Sequence, residues 1–365
     1  MSTAAPIFIV GANRSGTTLL RLMLNAHSRL AVPEELRYFR SDYAGTSIDT
    51  WRSPNLSSAA YETIVRDFVT EATTLHPELN GPTLLDRILN GGAHDLRRPY
   101  QVVLDAWATL HGKVRWGEKT PGNLFYVDVL CEMFPNAYFL YVVRDPRAGV
   151  ASMLKTDFFP NDVVFNAMSR RKHFEVGERL LREHVAPDHW MSIRYEDLTA
   201  APEATLHRVC ALIGEQYEPA MLRFHRTAEA YMTEKAATSF NASAKRPVTT
   251  AKINAWHGEL SEQDAALIEA ICAKEMGAYG YAPVAPKMSF GARLELLFKT
   301  AYWLLQSLRN RHIRDYTVKH AAFARLRSRL RQLFGGARPD REAPSASSGS
   351  TDASTESAAR RANIC

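Results

Sequence analysis

The chain has 365 residues, 46% of them hydrophobic, and its 45 Lys+Arg against 39 Asp+Glu give a formal net charge of +6. That length supports one large or two modest domains, and 19 Gly, 18 Pro and four Cys exclude collagen-like, disulfide-scaffold and wholly disordered chains. Cys131, Cys210, Cys272 and Cys365 show no CxxC or Cys/His spacing, so no zinc site or disulfide framework is expected, and a reducing, cytoplasmic setting fits.

In chain order, Pro6–Val10 is a short Ile/Val-rich run, Gly11–Thr18 a glycine loop and Leu19–His27 an apolar-periodic segment: strand, loop, helix. The short apolar run enters glycine directly and lacks a basic flank, so it reads as a strand rather than a signal peptide. Helical periodicity recurs around Tyr61–Leu75 and Leu84–Leu89 and over residues 124–133. Ala137–Val143 is apolar throughout, the pattern of a parallel strand covered on both faces. A helix is expected from Ala148, a short strand at Trp190–Ile193, and helices at Glu203–Ile213 and Glu262–Met276. This alternation predicts an α/β fold, a P-loop-like parallel sheet flanked by helices, over residues 1–285. No readable motif occurs in 40–115, and no window is apolar enough to span a membrane.

After Pro286 the composition changes. Fifteen basic and six acidic residues follow, a net of +9, which leaves the first 286 residues at −3. Leu294, Leu297, Phe298, Ala301, Leu304, Leu305 and Leu308 form one helical stripe, and a second, Arg-rich pattern carries Phe323, Leu326, Leu330 and Leu333. Residues 286–334 therefore read as a basic amphipathic extension and 335–365 as a disordered tail. Two partners suit the stripe equally: an anionic membrane face, or protein, either the chain's own body or a second subunit in a homodimer. Few aromatic residues and no recognisable module argue against nucleic acid.

Two loops carry the chemistry. Gly11-Ala12-Asn13-Arg14-Ser15-Gly16-Thr17-Thr18 lies between strand and helix, where backbone N–H groups and a helix N-terminus meet one anion. It nearly matches the NTP-binding spacing, but Thr17 stands in the lysine slot, which disfavours the other candidate, a P-loop kinase acting on a small hydroxyl. Arg14 offers a bidentate grip on an oxyanion instead. The second loop, Arg144-Asp145-Pro146-Arg147, follows the apolar strand 137–143, with Ser152 on the next helix; Arg144 and Ser152 suit a second phosphate, and the motif equally suits a helix-capping turn.

Together the two loops resemble those of the PAPS-dependent sulfotransferases, and the run PIFIVGANRSGTTLLRLMLNAHSRLAVPEELR (6–37) is most similar to tyrosylprotein sulfotransferases. GEKTPGNL (117–124), FPNAYFLYVVRDPRAGVASML (134–154), RYEDL (194–198) and 245–256 extend the likeness. The resemblance implies PAPS (3′-phosphoadenosine 5′-phosphosulfate) as donor, PAP as product, no metal in the chemistry and a hydroxyl-bearing acceptor: a protein tyrosine, glycan, lipid or small alcohol. It assigns Arg14, Ser15, Gly16, Thr17 and Thr18 to the 5′-phosphosulfate, Arg144 and Ser152 to the 3′-phosphate, and Tyr195 to the nucleotide. Glu35 becomes the base, and Lys119 and Arg14 the groups that stabilise charge on the leaving phosphate. By pattern alone, Glu34 and Glu35 read as a solvated pair, Lys119 as a surface lysine and Tyr195 as core. Lys245, Arg246 and Trp256 resemble a late basic loop, with Ala255 where the family carries lysine. His27 is a fallback base, better read as a helix-end histidine. The membrane anchor and disulfides of the secreted enzymes have no counterpart in the sequence, which implies a bacterial-type cytoplasmic relative, peripheral at the inner membrane face if the tail binds lipid.

Overall fold

The computed structural model describes residues 4–39, 51, 56–91, 95–232, 246–284 and 288–309. Five parallel strands form one sheet: β1 (Ile7–Gly11), β2 (Leu30–Ala31), β3 (Arg115–Lys119), β4 (Tyr138–Val143) and β5 (Trp190–Arg194), in the order β2-β3-β1-β4-β5. The expected α/β parallel sheet is present, with helices on both faces.

Strand periodicity divides the core in two. Phe8, Val10, Phe139, Tyr141 and Val143 face helices α2 (Ser58–Leu75), α3 (Gly81–Leu89) and α4 (Arg97–Leu110) through Phe68, Ile88, Tyr100 and Trp107. The alternate residues Ile7, Ile9, Leu140, Val142 and Ile193 face α1 (Thr17–Asn25) and a helix at Pro202–Ile213 through Leu20, Met23, Leu206 and Val209. Burial on both sides explains why β1 and β4 read as continuous apolar runs.

Strand β3 and helix α4 are additions to the sequence reading. Arg-Trp-Gly-Glu-Lys carries three charges and has no strand-like pattern, yet every residue in it is buried. Each charge has its own partner: Arg115 Nη1 donates to Glu215 Oε1 at 3.1 Å, Glu118 accepts from Thr120 and Asn123, and Lys119 pairs with Glu35. Gly117 favours close strand approach, since a Cβ there would lie 3.0 Å from the Ile7 carbonyl oxygen of the neighbouring strand and force it to shift slightly. The helix expected at 124–133 is a 3-10 turn, Pro121–Tyr126, that continues into α5 (Val127–Met133). After α8 (Tyr195–Ala200) and α9 (Pro202–Ile213), the segment expected at Glu262–Met276 divides at Cys272 into α10 (Glu262–Ile271) and α11 (Ala273–Tyr279).

Residues 1–301 form one compact unit, and 302–365 are grouped separately. The apolar stripe begins on α12 (Phe290–Arg309), whereas the second helical pattern and the expected disordered tail lie outside the described residues. Among the described residues no helix is long and apolar enough to cross a membrane.

Candidate active site

The carboxyl ends of neighbouring parallel strands form the crevice where open α/β sheets collect ligands. Here the pairings Ile9↔Lys119 and Gly11↔Val142 bring the ends of β3, β1 and β4 side by side. Lys119 closes β3, the glycine loop leaves β1, and Arg144 follows β4 directly. Hydrogen-bonded register therefore sets the spacing of the charged groups.

The glycine loop ends at α1, whose N-terminal flank is Gly16 at φ 99°. A Cβ at Gly16 would lie 2.4 Å from the Tyr195 ring, so both its conformation and its surroundings demand glycine. Arg14 is also left-handed, at φ 64°, the kind of reversal from which anion-binding nests are built. Its Nε donates to Ser152 Oγ at 3.0 Å, which ties the first loop to the helix of the second, α6 (Pro146–Met153). Arg144 lies over the Tyr195 ring at 4.3 Å and donates to the Arg14 carbonyl at 3.2 Å. It also donates to the Lys252 carbonyl at 2.9 Å.

These cations crowd one another. Burial and the nearby Arg144 guanidinium lower Arg14 to about 10. Lys252, partly buried and near both Arg144 and Arg14, is lowered as well. The Arg144 Nε is buried without a hydrogen-bond partner among the described residues. Converging cations, an orphaned guanidinium nitrogen and a glycine-lined turn fit a polyanionic ligand, which would relieve both repulsion and desolvation. Lys252 was missed by the sequence reading, which named Lys245, Arg246 and Trp256 in this stretch. Lys245 lies outside the described residues, Arg246 is exposed, and Trp256 packs under the Arg147 guanidinium at 4.2 Å.

On the other side of the loop, Lys119 Nζ donates to Glu35 Oε1 at 2.6 Å. Lys119 is 5% exposed and Glu35 31%, so neither is a free surface group. Burial alone would raise the Glu35 pKa, but Lys119, Arg37 and Arg21 outweigh it and hold the carboxyl below its ordinary range. Glu34 has a separate partner, Arg21, at 3.6 Å. The next carboxyl along β3, Glu118, is fully buried. It accepts from Thr120 N–H, Thr120 Oγ1 (2.5 Å) and Asn123 Nδ2 (2.6 Å), and this fixes the turn after Lys119. Burial pushes Glu118 up to about 7 despite those bonds.

A raised acid stabilises the fold while it is protonated and loses that contribution as pH rises through the folded value. Glu118 therefore makes the protein less stable between about pH 4.5 and pH 7 as pH increases. Glu118→Gln is expected to narrow the drop in melting temperature between the ends of that window, read by differential scanning fluorimetry. An identical drop in both proteins would assign it elsewhere, for example to Glu275, which is also raised to about 7.

In the second loop, the helix-capping role falls to Asp145 and Arg147. Asp145 caps α6 by accepting from Arg147 N–H at 2.9 Å, and it also pairs with the Arg147 side chain at 2.7 Å. Arg147 reaches on to Glu269 Oε1 at 2.6 Å and the Ala282 carbonyl at 3.0 Å. Arg144 alone turns to the crevice. A further clamp, Arg170 on α7 (Val163–His184), carried no sequence signal. It donates to the carbonyls of Asn13 (3.1 Å) and Arg144 (2.9 Å), one in each loop, and pairs with Glu275 at 3.5 Å. Gly149 makes room for it, since a Cβ there would lie 2.2 Å from Arg170 Nη1. His27 sits elsewhere, with Nε2 2.9 Å from the Gln216 carbonyl and Nδ1 accepting from Arg29 N–H.

Residues 6–219 match a family described as the sulfotransferase family. Protein-tyrosine sulfotransferase A of Caenorhabditis elegans is 24% identical over 312 residues, which cover 81% of this chain and 72% of the relative. The omega-hydroxy-beta-dihydromenaquinone-9 sulfotransferase of Mycobacterium tuberculosis is 30% identical over 111 residues, 26% of this chain and 28% of its own. Among solved structures, the sulfotransferase domain of the Synechococcus PCC 7002 olefin synthase aligns at TM-score 0.54 and 20% identity, over 76% of this chain and 96% of that domain. With the family match spanning the sheet, the glycine loop and the loop after β4, the chain belongs to the sulfotransferase family.

Proposed function

We propose that this sulfotransferase moves a sulfuryl group from PAPS to a hydroxyl acceptor by direct in-line displacement. The observation that carries the reading is the cation cluster Arg14, Arg144 and Lys252 beside the Lys119–Glu35 pair, all at the carboxyl edge of the sheet. A donor with phosphate at both its 3′ and 5′ positions matches two joined anion subsites. Arg14 and the N–H groups of the Ser15–Thr18 turn would hold the 5′-phosphosulfate. Arg144 and Ser152 would hold the 3′-phosphate, with Tyr195 beneath Arg144 and Lys252 taking the place of the lysine that Ala255 lacks.

In the transfer, the acceptor oxygen forms a bond to sulfur while the bond from sulfur to the phosphate oxygen breaks, and PAP departs. Glu35 takes the acceptor's proton. Lys119 serves both ends of this step. It keeps Glu35 ionised beforehand, and its ammonium neutralises the charge that gathers on the leaving phosphate, the kind of preorganised stabilisation that contributes most in a water-poor site. A carboxylate held below its usual range is a weak base toward a phenol or alcohol, so proton removal must accompany S–O bond formation.

The matched relatives are named for protein-tyrosine and for a hydroxylated menaquinone, so a tyrosine peptide and a lipid alcohol are the first acceptors to try. Incubation with sulfur-labelled PAPS and tyrosine peptides, glycans or lipid extracts should yield labelled product and an equal amount of PAP. Failure to bind either PAPS or PAP in calorimetry would overturn the reading.

A further inference from the structure

We propose that the exposed face of the first half of α12 docks on an anionic lipid bilayer. Among the described residues, the large apolar side chains left exposed are concentrated at the end of the first compact unit: Val284, Phe290, Leu294, Leu297 and Phe298, with Leu110 and Val114 elsewhere. Phe290, at 82% exposed, and Phe298, at 65%, are far more open than core-forming residues of a helix. The spacing 290, 294, 297, 298 places these four on one side of a helix, and exposed Ala301 continues it.

The opposite side is fastened to the body. Lys299 Nζ pairs with Asp162 Oδ2 at 2.8 Å and with Glu295 at 2.7 Å, and Ser289 Oγ is 2.9 Å from Gln263 Oε1. The apolar stripe is thus held outward rather than free to roll inward. Arg293, Glu295 and Lys299 break the apolar run of this helix, which is not apolar enough to cross a bilayer and suits one lying in the interface.

Charge selects the occupant. The segment after Pro286 carries a net +9 on a body of net −3. A second copy of the chain would bring a second segment of the same net charge into one complex, and is therefore disfavoured on charge. A bilayer rich in anionic headgroups offers hydrocarbon to the stripe and countercharge to Arg293 and to the basic residues that adjoin the stripe in sequence. The inference does not depend on the donor or acceptor assigned above.

The test is sedimentation of the full chain with sucrose-loaded vesicles, either pure phosphatidylcholine or containing about 30% phosphatidylglycerol. Binding is expected to the anionic vesicles and to weaken on raising salt from about 0.1 M to about 1 M. The variant Phe290→Ser/Leu294→Ser/Leu297→Ser/Phe298→Ser should bind about tenfold less or weaker still, with an unchanged melting temperature, because these side chains are already in water. Equal pelleting of variant and parent overturns the proposal, as does no pelleting of the parent with either vesicle. Sedimentation velocity without vesicles gives a third outcome. A dimeric parent, a monomeric variant and no vesicle binding would mean that the face is a homodimer contact and would refute lipid docking.

Discussion

Replacing Glu35 by glutamine is expected to lower kcat for sulfuryl transfer by about 100- to 10,000-fold, the range that a positioned general base contributes. Lys119→Met should cost about 100- to 1,000-fold, as loss of one preorganised charge-stabilising donor does. The two residues touch at 2.6 Å, so the double variant should be little worse than the poorer single. Stability separates them further. Glu35→Gln leaves the 5%-exposed Lys119 without its carboxylate, whereas Lys119→Met leaves a Glu35 that still reaches water. The glutamine variant should therefore lose more melting temperature, since removing one partner of a buried pair strands the other charge. In the parent, Glu35 is held below the ordinary carboxylate range, so the acid limb that it causes in kcat falls below that range as well. A limb near pH 7 would belong to Glu118 if it vanishes in Glu118→Gln, and to Glu275 if it persists there and vanishes in Glu275→Gln. Undiminished transfer by both Glu35→Gln and Lys119→Met, with labelled PAPS, removes the assigned roles.

The second large effect concerns the nucleotide. Arg144→Ala is expected to weaken PAP binding by about 2–3 kcal/mol, roughly 30- to 150-fold, the value of charge-assisted hydrogen bonds in a desolvated site. Affinity for adenosine 5′-phosphate, which lacks the 3′-phosphate, should fall much less. Arg14→Ala should weaken both nucleotides. Because Arg14 Nε is bonded to Ser152 Oγ, Ser152→Ala should also loosen Arg14, and the Arg14/Ser152 double variant should be less than additive. Calorimetric titration of the two nucleotides reads all of this. An unchanged preference for PAP in Arg144→Ala would place the 3′-phosphate elsewhere.

The parts of the site that were legible in the sequence are those whose function depends on local geometry. A glycine loop between a strand and a helix announces itself, because only glycine tolerates φ 99° against the Tyr195 ring. The apolar run of β4 announces Arg144 at its end because a strand buried on both faces reads as a continuous apolar run. Strand β3 was invisible because its charges are matched across long separations: Lys119 with a residue 84 positions away and Arg115 with one 100 away. Periodicity records what a strand buries, and a strand that buries ion pairs leaves no apolar signature. Arg170 and Lys252 were hidden likewise. Arg170 lies in a polar helix and reaches carbonyls 157 and 26 positions away, while Lys252 meets Arg144 through its backbone carbonyl, which no side-chain pattern marks. The resemblance to a family supplied Glu35 and Lys119, which local pattern could not.

The long-range ties from the second anion loop set an order of assembly. Arg147 waits for Glu269 and Ala282, Arg170 for Glu275, and Arg144 for the Lys252 carbonyl. A growing chain that has emerged only through residue 219 already contains the sheet and both loops, yet its Arg147 and Arg170 lack Glu269 and Glu275. Arg147 can still pair with Asp145, but Arg170 must stay hydrated, or leave the surrounding helices unsettled, until about sixty more residues arrive. Given the proposed donor site, donor binding becomes a late event in synthesis, and a chain cut within this stretch would keep the sheet and lose the ties from Arg144, Arg147 and Arg170 to the later chain.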